Sequence, residues 1–256
     1  MISKSVHTYF WFGTCVRFLQ DAPTEVKLRA EQGGGILDNI DAFYKYLDEL
    51  NLTITKRTLY PLDKLKKKLD LLPQDSTLTD ELSKSLRTIV SEIRNTLAAE
   101  IIGFEAYVVT PKRFDTSTLL NNISRLFSPG VYERLPQIAQ YDIREAGICI
   151  AFERSTAAAF HLMRGTESIL RTFYKSLVKR KRVNLLWGPI VSDLRKRRVA
   201  KKYTVLLDNL DNIRKSFRNP TQHPELTYTI HEVQDLFGLC IDVINRMSKS
   251  LTENAS

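Results

Sequence analysis

The sequence predicts a mainly α fold in two parts, and three observations carry that expectation. From Pro61 onward apolar residues recur at three- and four-residue steps, the stretches between prolines and glycines are helix-length, and a 256-residue chain with 43% apolar and 26% charged residues can bury a core. Disorder as the main state is therefore excluded. Ten Gly, nine Pro and three Cys also exclude collagenous, low-complexity and disulfide-scaffold classes. No run has the length of an apolar transmembrane span, so a soluble protein with no membrane partner is expected.

Residues 1–135 are expected to form a mostly helical N-terminal region with a few short strands, and residues 136–256 a helical bundle. Thr8-Tyr9-Phe10-Trp11-Phe12 has the β-branched and aromatic content of a strand. The polar interruptions His7, Thr8, Gly13, Thr14 and Arg17 argue for buried structure over Val6 to Leu19 and against a targeting signal. Gly33-Gly34-Gly35 lacks the Gly-Lys-Ser/Thr continuation of a phosphate loop and is taken as a plain loop, so no cofactor is implied. Ile40 to Leu50 has helical spacing. Leu62, Leu65, Leu69 and Leu72 mark a helix from Pro61 that Pro73 stops, and Leu78, Leu82, Leu86, Ile89, Val90, Ile93 and Leu97 mark a longer one ending near Gly103. Ala106 to Pro111 is a candidate extended piece. Asp115 is placed to cap a short helix through Leu126, before Pro129-Gly130.

In the second part, Ile143 to Leu177 contains no proline and predicts either one long helix or two with a kink near Gly147 or Gly165. A short helix from about Leu186 to Arg197 follows. Leu206, Leu207, Leu210, Ile213 and Phe217 mark another, which Pro220 must end. Thr229 and Glu232 have the spacing of a capping box before the apolar stripe of Val233, Leu236, Phe237, Cys240, Ile241 and Ile244.

The charge is concentrated. Lys179, Arg180, Lys181, Arg182, Arg195, Lys196, Arg197, Arg198, Lys201 and Lys202 face a single acid, Asp193, while the rest of the chain carries equal numbers of acids and bases, so this window holds the whole net charge of +9. A local excess of this kind is the electrostatic footprint of a polyanion site or, alternatively, a heavily solvated face. Trp187 inside it either stacks an unpaired base between cations or belongs to the core of the short helix. Cys15, Cys149 and Cys240 are odd in number and in no ligand spacing, which predicts a reducing, cytoplasmic setting and no zinc site.

The stretch with most chemistry is Arg218-Asn219-Pro220-Thr221-Gln222-His223-Pro224, between the last two expected helices. Pro220 removes an amide donor and pushes Asn219 out of the α region, so the chain must break there. A break is what lets Arg218 and His223 converge, since residues five apart on an unbroken helix diverge by about 140°. An imidazole with an ordinary pKa of about 6.5 can accept a ribose 2′-OH proton or protonate a leaving 5′ oxygen near neutral pH. An arginine fork can hold the phosphate and the charge developing on it, and Asn219 can orient either group. One histidine does not serve both proton transfers in one step, so a homodimer bringing a second copy is expected.

These residues resemble the Arg-Asn-x-x-x-His signature of the HEPN superfamily, and Phe160-His161-Leu162-Met163-Arg164-Gly165-Thr166-Glu167 resembles the long helix of its bacterial members. The resemblance spans about residues 138–251. It implies a C-terminal HEPN-like bundle, a metal-independent endoribonuclease acting on single-stranded or structured RNA, Arg218 and His223 as catalytic groups with Asn219 beside them, and a dimer groove. It also implies roles in toxin-antitoxin or antiviral defence systems, with an inhibitory or activating protein partner. Inactive members keep the fold as a binding module, which is the alternative.

Around that motif, Arg214 is placed to extend the phosphate-binding surface or to face solvent, and Asp211 to orient Arg218. Arg164 and Glu167, three apart on one helix, are read as an intrahelical pair or as support for Arg218. His161, flanked by Ala159, Phe160 and Leu162, is read as a core or interface histidine, and His7 and His231 have no partner set.

Overall fold

The structure, a computed structural model, describes residues 5–73, 75–178, 185–218 and 227–253, with Arg218 described for its backbone alone. The fold is mainly α. Among the described residues there is no strand, and the one β-type pairing is an isolated antiparallel bridge between Lys27 and Thr77. The chain divides into two compact units, Met1–Ala106 and Tyr107–Ser256.

The first unit is built from α1 (Val6–Asp21), α2 (Ile36–Glu49), the single turn α3 (Thr53–Lys56), α4 (Tyr60–Asp70) and α5 (Asp80–Ile101). The strand-like Thr8 to Phe12 is part of α1. Helical spacing prevails there because Phe12, Cys15, Val16 and Leu19 then fall on one buried face, with Ser5 as the N-cap. Tyr9, Phe10 and Trp11 stay exposed, so only one side of that aromatic run is buried. The triple glycine is a loop as expected. Gly33 and Gly34 have positive φ, and Gly35 precedes α2 in a place too tight for a side chain, where a Cβ would lie 2.6 Å from the Leu28 carbonyl oxygen. Glu100, in the last turn of α5, accepts the backbone amides of Ile54 and Thr55 and the Thr55 hydroxyl, tying α3 to α5.

The second unit contains α6 (Thr116–Asn121), α7 (Gln137–Ala151), α8 (Ser155–Leu177), α9 (Trp187–Arg195), α10 (Thr204–Ile213) and α11 (Ile230–Glu253), with 3₁₀ turns at Ile123–Leu126, Tyr132–Arg134 and Arg198–Lys201. Asp115 caps α6 through the Thr118 amide at 2.7 Å, and the helix stops at Asn121. The division between units falls earlier than residue 135 because Leu119, Ile123, Phe127, Val131 and Leu135 belong to the second core. The 106–111 segment takes no regular secondary structure and pairs with no strand.

The proline-free stretch 143–177 is two helices, broken at Phe152–Arg154, where Glu153 takes a positive φ of 57°. Neither glycine kinks it. Gly147 and Gly165 are there for close approach: a Cβ at Gly147 would sit 2.8 Å from the Ile123 side chain and the Leu119 carbonyl, and one at Gly165 would sit 3.1 Å from the Asp142 Cβ. With Ala139, Ala146, Ala158 and Ala159 also buried, α7 and α8 pack through small residues. α11 opens on the expected box: Thr229 donates its amide to Glu232 Oε2 at 2.8 Å, and the Glu232 amide donates to Thr229 Oγ1 at 3.3 Å.

Candidate functional site

The motif is flanked by structure that is described on both sides. α10 passes at Arg214 into a π-helical turn, Arg214–Arg218, so the arginine of the motif lies at the end of a locally widened helix. Trp187 helps hold that region, since its indole donates to the Leu210 carbonyl at 3.0 Å, and Gly188 leaves room for the Arg214 side chain. On the far side, the Tyr228 hydroxyl donates to the Phe217 carbonyl at 2.9 Å, the two rings stack at 6.1 Å, and the Tyr228 amide donates to Thr156 Oγ1 at 3.3 Å. Both ends of the motif segment are therefore pinned to each other and to the first turn of α8. Asn219 and His223 themselves lie outside the described residues, as do Lys179, Arg180, Lys181 and Arg182 and the side chain of Arg218.

The basic window changes meaning once its side chains are placed. Trp187 is completely buried and is a core residue, so it offers no face to a base. Arg195 pairs with Asp208 at 2.7 Å and reaches the Leu207 carbonyl. Arg197 pairs with Asp193 at 2.6 Å, and the same Asp193 oxygen accepts the Tyr174 hydroxyl. Arg214 is held at 2.8 Å by Asp211, which also takes Lys215 at 2.7 Å. Hydrogen bonds from Lys215 and Arg214, against some desolvation, keep the Asp211 carboxyl below the usual carboxylate range. Asp211 is thus engaged with Arg214 and Lys215, and the expected extension of a phosphate surface through Arg214, Arg195 and Arg197 is made of cations already paired. Arg198 is exposed in the 3₁₀ turn, and Lys201 and Lys202 line a shallow cavity of about 240 Å³ with Arg246.

Arg164 and Glu167 are not an isolated intrahelical pair. Arg171, one turn on, donates to Glu167 at 2.9 Å, whereas Arg164 crosses to α7. There Asp142, a fully buried carboxylate, accepts Arg164 Nε on Oδ2 at 2.7 Å and Arg164 Nη2 on Oδ1 at 2.5 Å. His161 places Nδ1 2.9 Å from the same Oδ1. A carboxylate only accepts, so the imidazole carries a proton on Nδ1. The Asp142 bonds hold the Arg164 guanidinium above its ordinary value. The Tyr141 ring meets His161 edge-on at 6.3 Å, and the Arg144 guanidinium lies 5.8 Å from the centre of the Tyr141 ring.

Sequence reasoning passed over Asp142 and took His161 for a core or interface residue. A signal was present: Asp142 interrupts the apolar stripe of Ala139, Ile143 and Ala146, where a buried acid needs cationic or donor partners from a neighbouring helix. Among the described residues no group of His, Cys, Asp and Glu is arranged to hold a metal, and no helix is long and apolar enough to cross a membrane. Burial pushes the Cys15 and Cys240 thiols up to about 12, away from nucleophilic use. No family model, curated protein or solved structure matches the chain.

Proposed function

We propose that the chain is a metal-independent endoribonuclease of HEPN-like type, acting through Arg218 and His223. The observation that carries this reading is the placement of Arg218-Asn219-x-x-x-His223 at the exit of a widened helix, between two helices of an all-α unit, with its flanks clamped by Tyr228. In the proposed reaction an imidazole takes the 2′-OH proton, the 2′ oxygen attacks phosphorus, the bond to the 5′ oxygen breaks, and a second imidazole protonates the leaving oxygen. Arg218 holds the charge that builds on the phosphate. Two imidazoles from two chains supply the acid and the base, which makes a homodimer the working form.

The test is cleavage of total RNA and of a single-stranded oligonucleotide in EDTA by wild type and His223→Ala. The expected result is 2′,3′-cyclic phosphate ends from wild type and a loss of about 100-fold or more in the variant, the scale of removing an acid-base group. Unchanged cleavage by His223→Ala overturns the proposal. A second reading, a non-catalytic interaction module, is favoured by one observation: Ile138, Tyr141 and Phe160 are exposed apolar residues on α7 and α8. It predicts a binding partner that His223→Ala leaves bound.

A further inference from the structure

The α7–α8 surface holds a second group of polar residues that the proposed reaction does not use. Asp142 is fully buried, yet its two partners are not: the side chain of Arg164 is 58% exposed and that of His161 25%. The carboxylate thus fixes two partly exposed side chains side by side. His161 Nδ1 and Arg164 Nη2 meet at one oxygen, so the imidazole and the guanidinium are held next to each other, each with part of its surface in solvent. Among the described residues neither has another hydrogen-bond partner.

The arrangement is costly in the terms that govern stability. A carboxylate taken fully out of water loses several kcal/mol of solvation that a buried pair only partly recovers, and an apolar residue at that position packs as well or better. Gly165, in the middle of α8, is a poorer helix former than alanine and leaves the space that Asp142 occupies. Local sacrifices of this kind cluster where a site is being held in shape.

Helical geometry relates this pair to the motif. Tyr228 anchors the motif segment to Thr156, and from there Phe160, Arg164 and His161 lie at successive angles of roughly 40°, 80° and 140° around α8. Along the axis Thr156 and His161 are about 7.5 Å apart. Around the helix, Arg164 therefore sits between Thr156 and His161.

From these observations we infer that Arg164 and His161, set by Asp142, form a phosphate-binding site. An arginine fork and, when the ring is doubly protonated, an imidazolium Nε2–H match the oxygens of a phosphate by charge-assisted hydrogen bonds. The source is either the RNA backbone, in which case the inference rests on the nuclease reading and names where the substrate strand runs, or a free phosphate or mononucleotide. Tyr141 and Phe160, both exposed, flank the pair. Arg144 and Arg171 are nearby cations balanced by Glu145 and Glu167, so the selectivity comes from the fork and the imidazole rather than from bulk charge.

The test uses full-length protein carrying His223→Ala, so that RNA survives, and follows the His161 ring by NMR, assigned by its absence in His161→Gln. Inorganic phosphate, a nucleoside monophosphate and a single-stranded oligoribonucleotide are titrated separately, with His231 as the internal control. The expected result is a saturable His161 shift without a His231 shift, and roughly tenfold weaker binding in Arg164→Lys, which keeps the charge and loses the fork. Tighter binding of the oligonucleotide than of free phosphate identifies the backbone as the source; the reverse order identifies a free phosphate. No response of His161 to any of the three, or equal affinity in a folded Arg164→Lys, overturns the inference. The nuclease reading stands or falls separately, on cleavage by wild type: RNA cut with a silent His161 removes this site alone, and a responsive His161 without cleavage removes the nuclease alone.

Discussion

Each unit has an aspartate that gathers donors from several segments, the part-exposed Asp38 in the first and the fully buried Asp142 in the second, and the two are put to different use. In the first, Asp38 accepts the amides of Ala30 and Gly35, each at 3.0 Å, and Arg29 at 3.0 Å; Arg29 goes on to Asp41 and Asp70, and Lys66 to both of those acids. Every donor there ends on the chain itself, so Asp38 is a clasp that fastens the 27–35 loop to α2. In the second, Asp142 receives two side chains whose far edges remain open. Both acids also stand against a glycine, Gly35 in one case and Gly165 in the other. Ion pairing does not separate a structural acid from a candidate site, since both have it; the difference is that Asp142 alone is fully buried, and that the donors it fixes are not used up.

The largest effect is expected from removing the cation at the open cluster. Arg164→Ala leaves the Asp142 carboxylate buried with the imidazole alone, and uncompensated buried charges cost about 3–5 kcal/mol. Urea denaturation should place the loss near the lower end of that range, because His161 still donates. The double variant Arg164→Ala/Asp142→Ala should recover much of it. A single variant as stable as wild type would show that water reaches Asp142 and that the carboxylate is not the organising group.

The two glycines divide the comparison next. At Gly35 a methyl group meets the Leu28 carbonyl at 2.6 Å, the Arg29 Cα at 2.8 Å and Asp38 Oδ2 at 2.8 Å, so backbone must move. Gly35→Ala is expected to cost about 1–3 kcal/mol. At Gly165 the nearest atom is 3.1 Å away, a gap of a few tenths of an ångström to be made up, and alanine returns about 1 kcal/mol of helix propensity. Gly165→Ala should therefore change the denaturation midpoint far less than Gly35→Ala, while shifting Asp142 and with it the His161 resonance.

Which parts of this were legible beforehand follows the same physics. Helix positions from Leu62 to Leu97 and from Val233 to Ile244 were readable because a one-sided apolar stripe is a local property, and the Thr229–Glu232 box is local too. Thr8 to Phe12 misled because aromatic content says that a face is buried, not at which period. The break at Glu153 was hidden, as an ordinary residue took the positive φ that a glycine search would have sought at 147 or 165. The basic window looked like one electrostatic patch because Asp208, which takes Arg195, lies outside the stretch where charge was concentrated, as does Asp211, which takes Arg214 beside the motif. Asp142 was the hardest: its partners are about twenty residues away, and only the α7–α8 packing brings them together.

Proton linkage offers a test of the clasp. Burial of Asp38 opposes ionisation, but the hydrogen bonds from Ala30, Arg29 and Gly35 outweigh it and hold the carboxyl below its ordinary range. A depressed folded-state value means that the stabilisation is complete above the unfolded carboxylate value of about 4 and is lost as pH falls through the folded one. Asp38→Asn should cost about 1–3 kcal/mol at pH 7 and less at pH 3, so the stability curves of variant and wild type converge on the acid side. Parallel curves would mean that the charge of Asp38 contributes nothing to the clasp.

The smallest stability effect is expected at His161. His161→Gln leaves both Asp142 oxygens with Arg164, keeps an amide able to donate to Oδ1, and lies at a surface where water can replace what is lost, so its cost should stay within about 1.5 kcal/mol. A clasp behaves otherwise, since each of its donors is spent on holding the chain together and removing one is felt as instability. If His161→Gln unfolds the protein as readily as Arg164→Ala, Asp142 is a second clasp, and the exposed part of His161 has no more meaning than any surface imidazole. If stability holds and phosphate affinity drops, the open edge of the cluster is what the buried carboxylate is there to keep in place.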